Sequence, residues 1–196
     1  MNRSVCPQRQ TKRLRKGRVS VAGARYFVTF CSQYRRAGLT APAIEAGLVA
    51  VWRQQHQNEE IALQCATVMP DHVHILFTLG HTLSLSQIIR KFKSQSKRLL
   101  GGASMQWQAN FFEHRLRPEV TLEPFARYIF LNPYRQGLLP LDAEWSGWVL
   151  SRRYHPEFLG NLRDGHYPHP EWLGDAPTAA ELIDSVLEDE RSRRPE

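Results

Sequence analysis

Two apolar runs with only two residues between them constrain the fold of this chain most strongly. IALQCATVM ends at Met69 and HVHILFTL begins at His72, and Pro70 and Asp71 separate them. Runs rich in β-branched and aromatic side chains favour strands, and a Pro-Asp pair favours a tight turn. The sequence therefore predicts an antiparallel β-hairpin here.

The segments around the hairpin show a regular alternation of element types. Hydrophobic periodicity predicts a strand over 24–32, helices over 42–58 and 83–101, a strand over 111–117 and a helix over 122–132. We expect Thr121 to cap the last helix and Pro133 to end it. The resulting order indicates an α+β fold of the ferredoxin-like split βαβ type, an antiparallel sheet covered by helices.

Charge divides the 196-residue chain unevenly. The part before Pro140 holds 20 Lys or Arg against 7 Asp or Glu, whereas the part after it holds 6 against 12. We expect a basic flexible arm (1–22), a catalytic domain (23–140) and a C-terminal extension with an acidic tail (141–196).

The basic part of the chain contains long stretches without acidic residues. None precedes Glu45, and none occurs from His72 to Phe112. Such stretches favour a nucleic-acid partner, because Lys and Arg that neutralise phosphates release counterions; a solvated basic surface is the alternative. The candidate DNA contacts are Arg13, Arg15, Lys16 and Arg18 of the arm and Arg90, Lys91, Lys93, Lys97 and Arg98 of the second helix.

Composition also excludes several classes of protein. No apolar run approaches the roughly 20 residues that a membrane span requires, and the N-terminus lacks the apolar stretch of a secretory signal. Three scattered cysteines without a CxxC pair form neither a disulfide framework nor a cysteine zinc site. We therefore expect a cytoplasmic protein without a membrane partner.

His72 and His74 lie on one face of the second hairpin strand, since side chains alternate along a strand. We expect the opposite, apolar face to pack against the helices. Two neighbouring imidazoles on a rigid strand can chelate one divalent ion, and ordinary surface histidines are the other interpretation. Leu76 at the third position disfavours an HxHxH hydrolase, and the lack of a PCxxC segment disfavours a zinc deaminase.

Tyr128 and Asn132 lie four residues apart in the last predicted helix and so share a face. A tyrosine phenolate can attack phosphorus and hold the phosphoryl ester, and a carboxamide oxygen suits a hard cation. The alternative is a core tyrosine and a helix-terminal asparagine before proline.

Four segments together resemble one known family. They are the PDHVH run from Pro70, the basic helix after it, WQANFFEHRLR (107–117) and RYIFLNPYR (127–135), within a similar region from Ala24 to Trp148. The family is that of the HUH single-tyrosine transposases, in the branch of the REP-associated tyrosine transposases.

The resemblance implies an enzyme that cleaves and rejoins single-stranded DNA at hairpins of repetitive extragenic palindromes through a 5′-phosphotyrosine. Tyr128 corresponds to the nucleophile, and His72 and His74 to the ligands of Mg²⁺ or Mn²⁺. Asn132 stands where the wider family has a metal-binding glutamine.

Two further residues, Tyr134 and His114, lie in the segments that resemble the family. Tyr134 is a second tyrosine, which we expect Pro133 to turn away from the site. His114 lies in a segment similar to the family's and is a candidate for proton transfer, for DNA contact or for a structural role.

Two other functions stay open. The chain could bind hairpins without cutting them, or use its histidines as a metal-dependent hydrolase without a covalent intermediate. We expect a monomer, whereas relatives in the wider family exchange tyrosine helices within a dimer.

Overall fold

Five strands form one antiparallel sheet in the computed structural model of the chain, which describes residues 20–175 and 177–184. The strands are β1 (Arg25–Cys31), β2 (Ile61–Val68), β3 (His72–Leu79), β4 (Phe112–Leu116) and β5 (Trp148–Leu150). The helices are α1 (Pro42–Gln57), α2 (Leu85–Gly102), α3 (Glu123–Arg135) and the short α4 (Glu171–Asp175). The strand order β4-β1-β3-β2-β5 contains the expected split βαβ arrangement, so the predicted fold class is confirmed.

The predicted hairpin lies at the centre of the sheet. Val68 of β2 pairs with Val73 of β3, and the Met69 amide donates to the His72 carbonyl at 2.8 Å. On the other side of β3 lies β1, which places Thr29 opposite His74. Because β3 has a strand on each side, its backbone is fixed along both edges.

Helices cover both faces of the sheet. The apolar face of β3, represented by Val73 and Ile75, packs against α1 and α2 as predicted. The histidine face packs against α3, whose Ile129 joins a second core with Leu76 and other residues of the sheet. The expectation that the helices lie on the apolar face is therefore incomplete, because α3 buries the face that carries the histidines.

The helix α3 does not end before Pro133. It continues to Arg135, and the Gln136 amide still donates to the Asn132 carbonyl at 3.1 Å. A proline removes one helical N–H, but the bonds of the following turn close the helix around it. Its N-cap is Leu122, which has no capping side chain, while the expected cap Thr121 accepts from the Glu123 amide at 3.3 Å.

The C-terminal extension holds α3 against the sheet. Its strand β5 pairs with β2, and the Glu123 carboxylate accepts from the amides of Glu157 and Phe158 at 3.0 and 2.6 Å. The guanidinium of Arg127 lies 4.4 Å from the ring centroid of Trp172. Two predicted segments lie outside the described residues, namely positions 1–19 of the basic arm, with Arg13, Arg15, Lys16 and Arg18, and the acidic tail after residue 184.

None of the helices in the described ranges combines the length and the apolar composition that are needed to cross a bilayer.

Candidate active site

Two imidazole nitrogens converge at the N-terminal end of β3. The Nε2 atoms of His72 and His74 lie 3.1 Å apart, and the two rings are nearly perpendicular, at 85°. Both side chains are buried beneath α3, with 2% and 3% of their surface exposed. The strand alternation thus aims both nitrogens at one point of the interior.

Each imidazole is oriented through its other ring nitrogen. The Nδ1 of His72 donates to Asp71 Oδ1 at 2.6 Å, and the Nδ1 of His74 lies 2.7 Å from Thr29 Oγ1 on the neighbouring strand. The second oxygen of Asp71 accepts from Arg35 Nε at 2.7 Å. Partners of this kind fix the ring orientation of metal-ligating histidines and raise their basicity.

Burial favours the neutral form of both imidazoles. Desolvation lowers the pKa of His72, against the opposing effect of Asp71, and it lowers the pKa of His74 well below the usual range, aided by the positive charge of Arg35. The proton of His72 lies on Nδ1, because that atom faces a carboxylate. Its Nε2 therefore presents a lone pair toward His74.

Asn132 of α3 reaches the same point from the other layer. Its Nδ2 lies 3.1 Å from His74 Nε2, which must accept from that amide, and its Oδ1 accepts from Gln136 Nε2 at 2.8 Å. The lone pair of His72 Nε2 then lies beside a nitrogen that carries no proton, and a cation bound by both nitrogens would relieve this arrangement. The nitrogen of the Asn132 amide, not its oxygen, faces the imidazoles, so ligation by Asn132 stays a prediction.

The separation of the two Nε2 atoms fits a shared divalent ion. Two nitrogens that each lie about 2.1 Å from one ion, at right angles, are about 3.0 Å apart, close to the 3.1 Å found between His72 and His74. In the part of the chain that the structure describes, no three His, Cys, Asp or Glu side chains converge in a metal-binding arrangement. Further ligands would therefore be amide or hydroxyl oxygens, water or a substrate phosphate.

Tyr128 lies directly beside this histidine pair. Its ring centroid is 5.3 Å from that of His74, with the rings at 77°. Phe27 of β1 fixes both, since it stacks on His74 at 5.6 Å and meets the Tyr128 ring edge-on at 5.8 Å. The predicted common face of Tyr128 and Asn132 is thus turned toward β3 of the same chain.

The hydroxyl of the second tyrosine, Tyr134, forms its hydrogen bond away from the histidine pair. The Tyr134 hydroxyl donates to the Ala143 carbonyl at 2.8 Å, and its ring packs against Phe130. Burial raises the pKa of Tyr134, which disfavours a phenolate there. Tyr134 lies six positions beyond Tyr128, on another side of the helix, so it stays apart from the histidines although Pro133 does not end α3.

The basic residues of α2, which are the predicted DNA contacts, lie on a helix that is separated from the histidine pair by the sheet. α2 belongs to the core on the opposite face of the sheet. Lys91 pairs with Glu60, and Lys93 Nζ donates to the carbonyls of Gln108 and Asn110 at 2.7 and 3.0 Å. The three exposed members of the group are Arg90, Lys97 and Arg98.

His114 packs against the aromatic residues near the histidine pair. Its ring stacks on Phe125 at 6.0 Å, Phe125 contacts Phe27, and Phe27 contacts His74. These contacts assign no chemical step to His114, and its accessory role stays a prediction.

Three polar residues of the site were not identified from the sequence. Thr29 becomes visible only through the register of β1 against β3, and Gln136 through the continuation of α3 beyond Pro133. Asp71 stands next to His72 in the sequence, but its position in a Pro-Asp turn explains it equally well.

The metal-free protein is expected to lose stability as the pH falls below about 6.5. The pKa values of His72 and His74 in the folded chain lie below the ordinary value of 6.5, so the unfolded chain binds more protons in that window. Each histidine then lowers the free energy of unfolding by up to about 1.4 kcal/mol per pH unit. Urea denaturation with a chelator at pH 7.5, 6.5 and 5.5 measures this loss. We expect His74→Gln to reduce the slope, whereas equal slopes in the two proteins would contradict the account.

Comparisons with known proteins place this chain in a family. The family model described as Transposase IS200 like matches residues 20–129, more than half of the chain, with both histidines and Tyr128. The REP-associated tyrosine transposase of Escherichia coli strain K12 is 24% identical over 159 residues, which cover 81% of this chain and 90% of the relative.

A solved structure of a REP-associated tyrosine transposase bound to a REP hairpin has the same fold. It matches with a TM-score of 0.57 and 24% identity, over 67% of this chain and 79% of that one. The chain belongs to the IS200-like transposase family and is an enzyme of the tyrosine transposase class.

Proposed function

We propose that this chain cleaves and rejoins single-stranded DNA by transesterification at Tyr128. The observation that carries the proposal is the contact of Tyr128 with His74, whose Nε2 lies 3.1 Å from that of His72. A tyrosine whose ring lies against one of two imidazoles that can hold a cation suits phosphoryl transfer, in which catalysis is mostly positioning and charge stabilisation.

The proposed reaction needs no external energy. The Tyr128 oxygen attacks the scissile phosphorus and loses its proton, the bond from phosphorus to the 3′ oxygen breaks, and that oxygen leaves as a 3′-hydroxyl after taking up a proton. The strand beyond the cut remains joined to Tyr128 through its 5′ phosphate. A 3′-hydroxyl that attacks the same phosphorus reverses the step and regenerates the tyrosine.

His72 and His74, with Asn132 as the third candidate, would hold Mg²⁺ or Mn²⁺. When bound, such an ion supplies positive charge that polarises the scissile phosphate. The chain's own residues do the positioning: Asp71 and Thr29 orient the imidazoles, and Phe27 holds the ring of Tyr128 against His74.

We propose hairpins of the REP type as the substrate and a monomer as the active form. The hairpin follows from the names of the relatives, which are REP-associated transposases, one of them bound to a REP hairpin. The monomer is supported by α3, because Tyr128 contacts His74 of its own chain and Glu123 ties that helix to the C-terminal extension.

End labels on the DNA separate the proposal from its two alternatives. The full chain is incubated with Mn²⁺ and a hairpin-bearing single strand labelled at either end, and the products are denatured. We expect the 3′ label to stay with the protein and the 5′ label to leave on a shorter strand. Binding without cleavage would support the non-cutting hairpin binder, and two free fragments would support the hydrolase.

Replacing Tyr134 by phenylalanine is expected to leave the covalent product unchanged. The substitution removes the hydrogen bond to Ala143, which lowers the free energy of unfolding by about 1 kcal/mol. Urea denaturation measures the stability and gel analysis the adduct. A lost adduct in a variant that is still folded would move the nucleophile to Tyr134.

A further inference from the structure

Tyr34 is by far the most exposed large hydrophobic residue in the described part of the chain. It is 90% exposed, whereas the next two, Leu138 and Val21, are 40% and 37% exposed. An aromatic ring presented to solvent in this way buries almost no apolar surface, so it contributes little to the stability of the fold.

The turn that carries Tyr34 has an unfavourable backbone. Gln33–Arg35 forms a short 3-10 turn directly after β1, in which Tyr34 (φ 57°, ψ 20°) and Arg35 (φ 53°) are both left-handed. Residues with a Cβ rarely adopt this conformation, and it persists only where the surroundings enforce it.

Hydrogen bonds on both sides enforce the conformation of this turn. The Ser32 hydroxyl donates to the carbonyls of Arg36 and Asp71 at 2.7 and 3.1 Å. The Gln33 amide donates to the Gln106 carbonyl at 2.7 Å, and the Arg36 guanidinium to the Ser104 carbonyl at 3.0 Å. The turn is therefore a fixed support.

The same turn adjoins the histidine pair. Cys31, the last residue of β1, pairs with His72, and the carboxylate of Asp71 accepts from both Arg35 and His72. One carboxylate thus connects the residue after Tyr34 to the imidazole of His72.

We propose that Tyr34 stacks on an unpaired base of the single strand, next to the nucleotide whose phosphate lies at the histidine pair. Aromatic rings accept the face of any base, and a rigid ring loses little entropy when a base is stacked on it. The guanidinium group of Arg36, which donates to a neutral carbonyl, places positive charge beside the same strand. This inference rests on the proposed function.

Three substitutions separate stacking from other contacts. Binding of a fluorescent hairpin with unpaired flanks is measured by anisotropy in chelator, so that no cleavage occurs. We expect Tyr34→Ala and Tyr34→Leu to weaken binding by about 5- to 100-fold and Tyr34→Phe to stay within about twofold of wild type. A Leu variant that binds like Phe, or a Phe variant that binds like Ala, would overturn stacking.

Abasic positions in the flank then locate the base. One base of the flank is removed at a time, and the affinity of each strand is measured for both proteins. We expect one position at which removal of the base weakens binding to the wild-type protein but leaves binding to Tyr34→Ala unchanged. If Tyr34→Ala binds the intact strand as wild type does, or loses affinity equally at every abasic position, the proposal is wrong. If stacking at Tyr34 fails in this way but the wild-type protein still forms the covalent product, the proposed function stands. If the wild-type protein binds no hairpin strand at all, both the proposed function and the stacking at Tyr34 are wrong.

Discussion

Replacing Tyr128 by phenylalanine is expected to abolish the covalent protein–DNA product and to lower strand cleavage by at least about 10³-fold. The substitution removes the nucleophilic oxygen and keeps the ring that packs against Phe27 and His74. Gel analysis of labelled DNA after denaturation measures both quantities under single-turnover conditions.

Tyr134→Phe is the matched control for this substitution, because it removes the same atom from the same helix six residues further on. Binding of hairpin DNA to Tyr128→Phe should stay within about threefold of wild type, since the change removes no charge and contacts between basic groups and phosphates supply most of the affinity of DNA-binding proteins. Cleavage that persists in Tyr128→Phe would instead support a hydrolytic mechanism with water as the nucleophile.

Replacing His74 by alanine is expected to remove Mn²⁺ binding and to lower cleavage by more than about 100-fold. Loss of an outer partner of a metal ligand already costs 10- to 100-fold, so loss of the ligand itself should cost more. Calorimetric titration of the protein with Mn²⁺ measures binding without reference to activity.

A graded series makes this prediction sharper. Asp71→Asn removes the negative charge beside His72 and Thr29→Val removes the hydroxyl beside His74, while both keep the two imidazoles, and we expect intermediate losses of Mn²⁺ affinity, of about 10- to 100-fold. Unchanged Mn²⁺ binding in His74→Ala would show that the histidine pair does not hold the ion.

The sequence predicts the central part of the fold because its signals there are local. The strand pattern on either side of Pro70 and Asp71 fixes the hairpin, and the alternation along β3 fixes which face carries the histidines. The helical spacing of Tyr128 and Asn132 likewise fixes their common face.

Long-range packing decides the features that the sequence does not predict. The pattern of α3 does not show which face of the sheet the helix covers, and Pro133 indicates a helix end although the following turn compensates for its missing N–H. The basic side of α2 predicts DNA contacts, but the layer order places it across the sheet from the histidines, with Lys91 and Lys93 bound within the protein.

The polar residues that hydrogen-bond to the histidines are equally hard to predict from the sequence. Thr29 belongs to a strand more than forty residues from His74, and only the pairing of β1 with β3 brings them together. Tyr34 appears in the sequence as one aromatic residue among many, and its exposure depends on the hydrogen bonds that hold its turn.

The most direct test of the account is to identify the residue that carries the DNA. After reaction and nuclease trimming, trypsin releases Tyr128–Arg135, YIFLNPYR, which contains both candidate tyrosines. Fragmentation in the mass spectrometer assigns the added nucleotide to one of them. We predict a phosphodiester on Tyr128 with an unmodified C-terminal Tyr134-Arg135 fragment, and a nucleotide on Tyr134, or none on this peptide, would contradict the account.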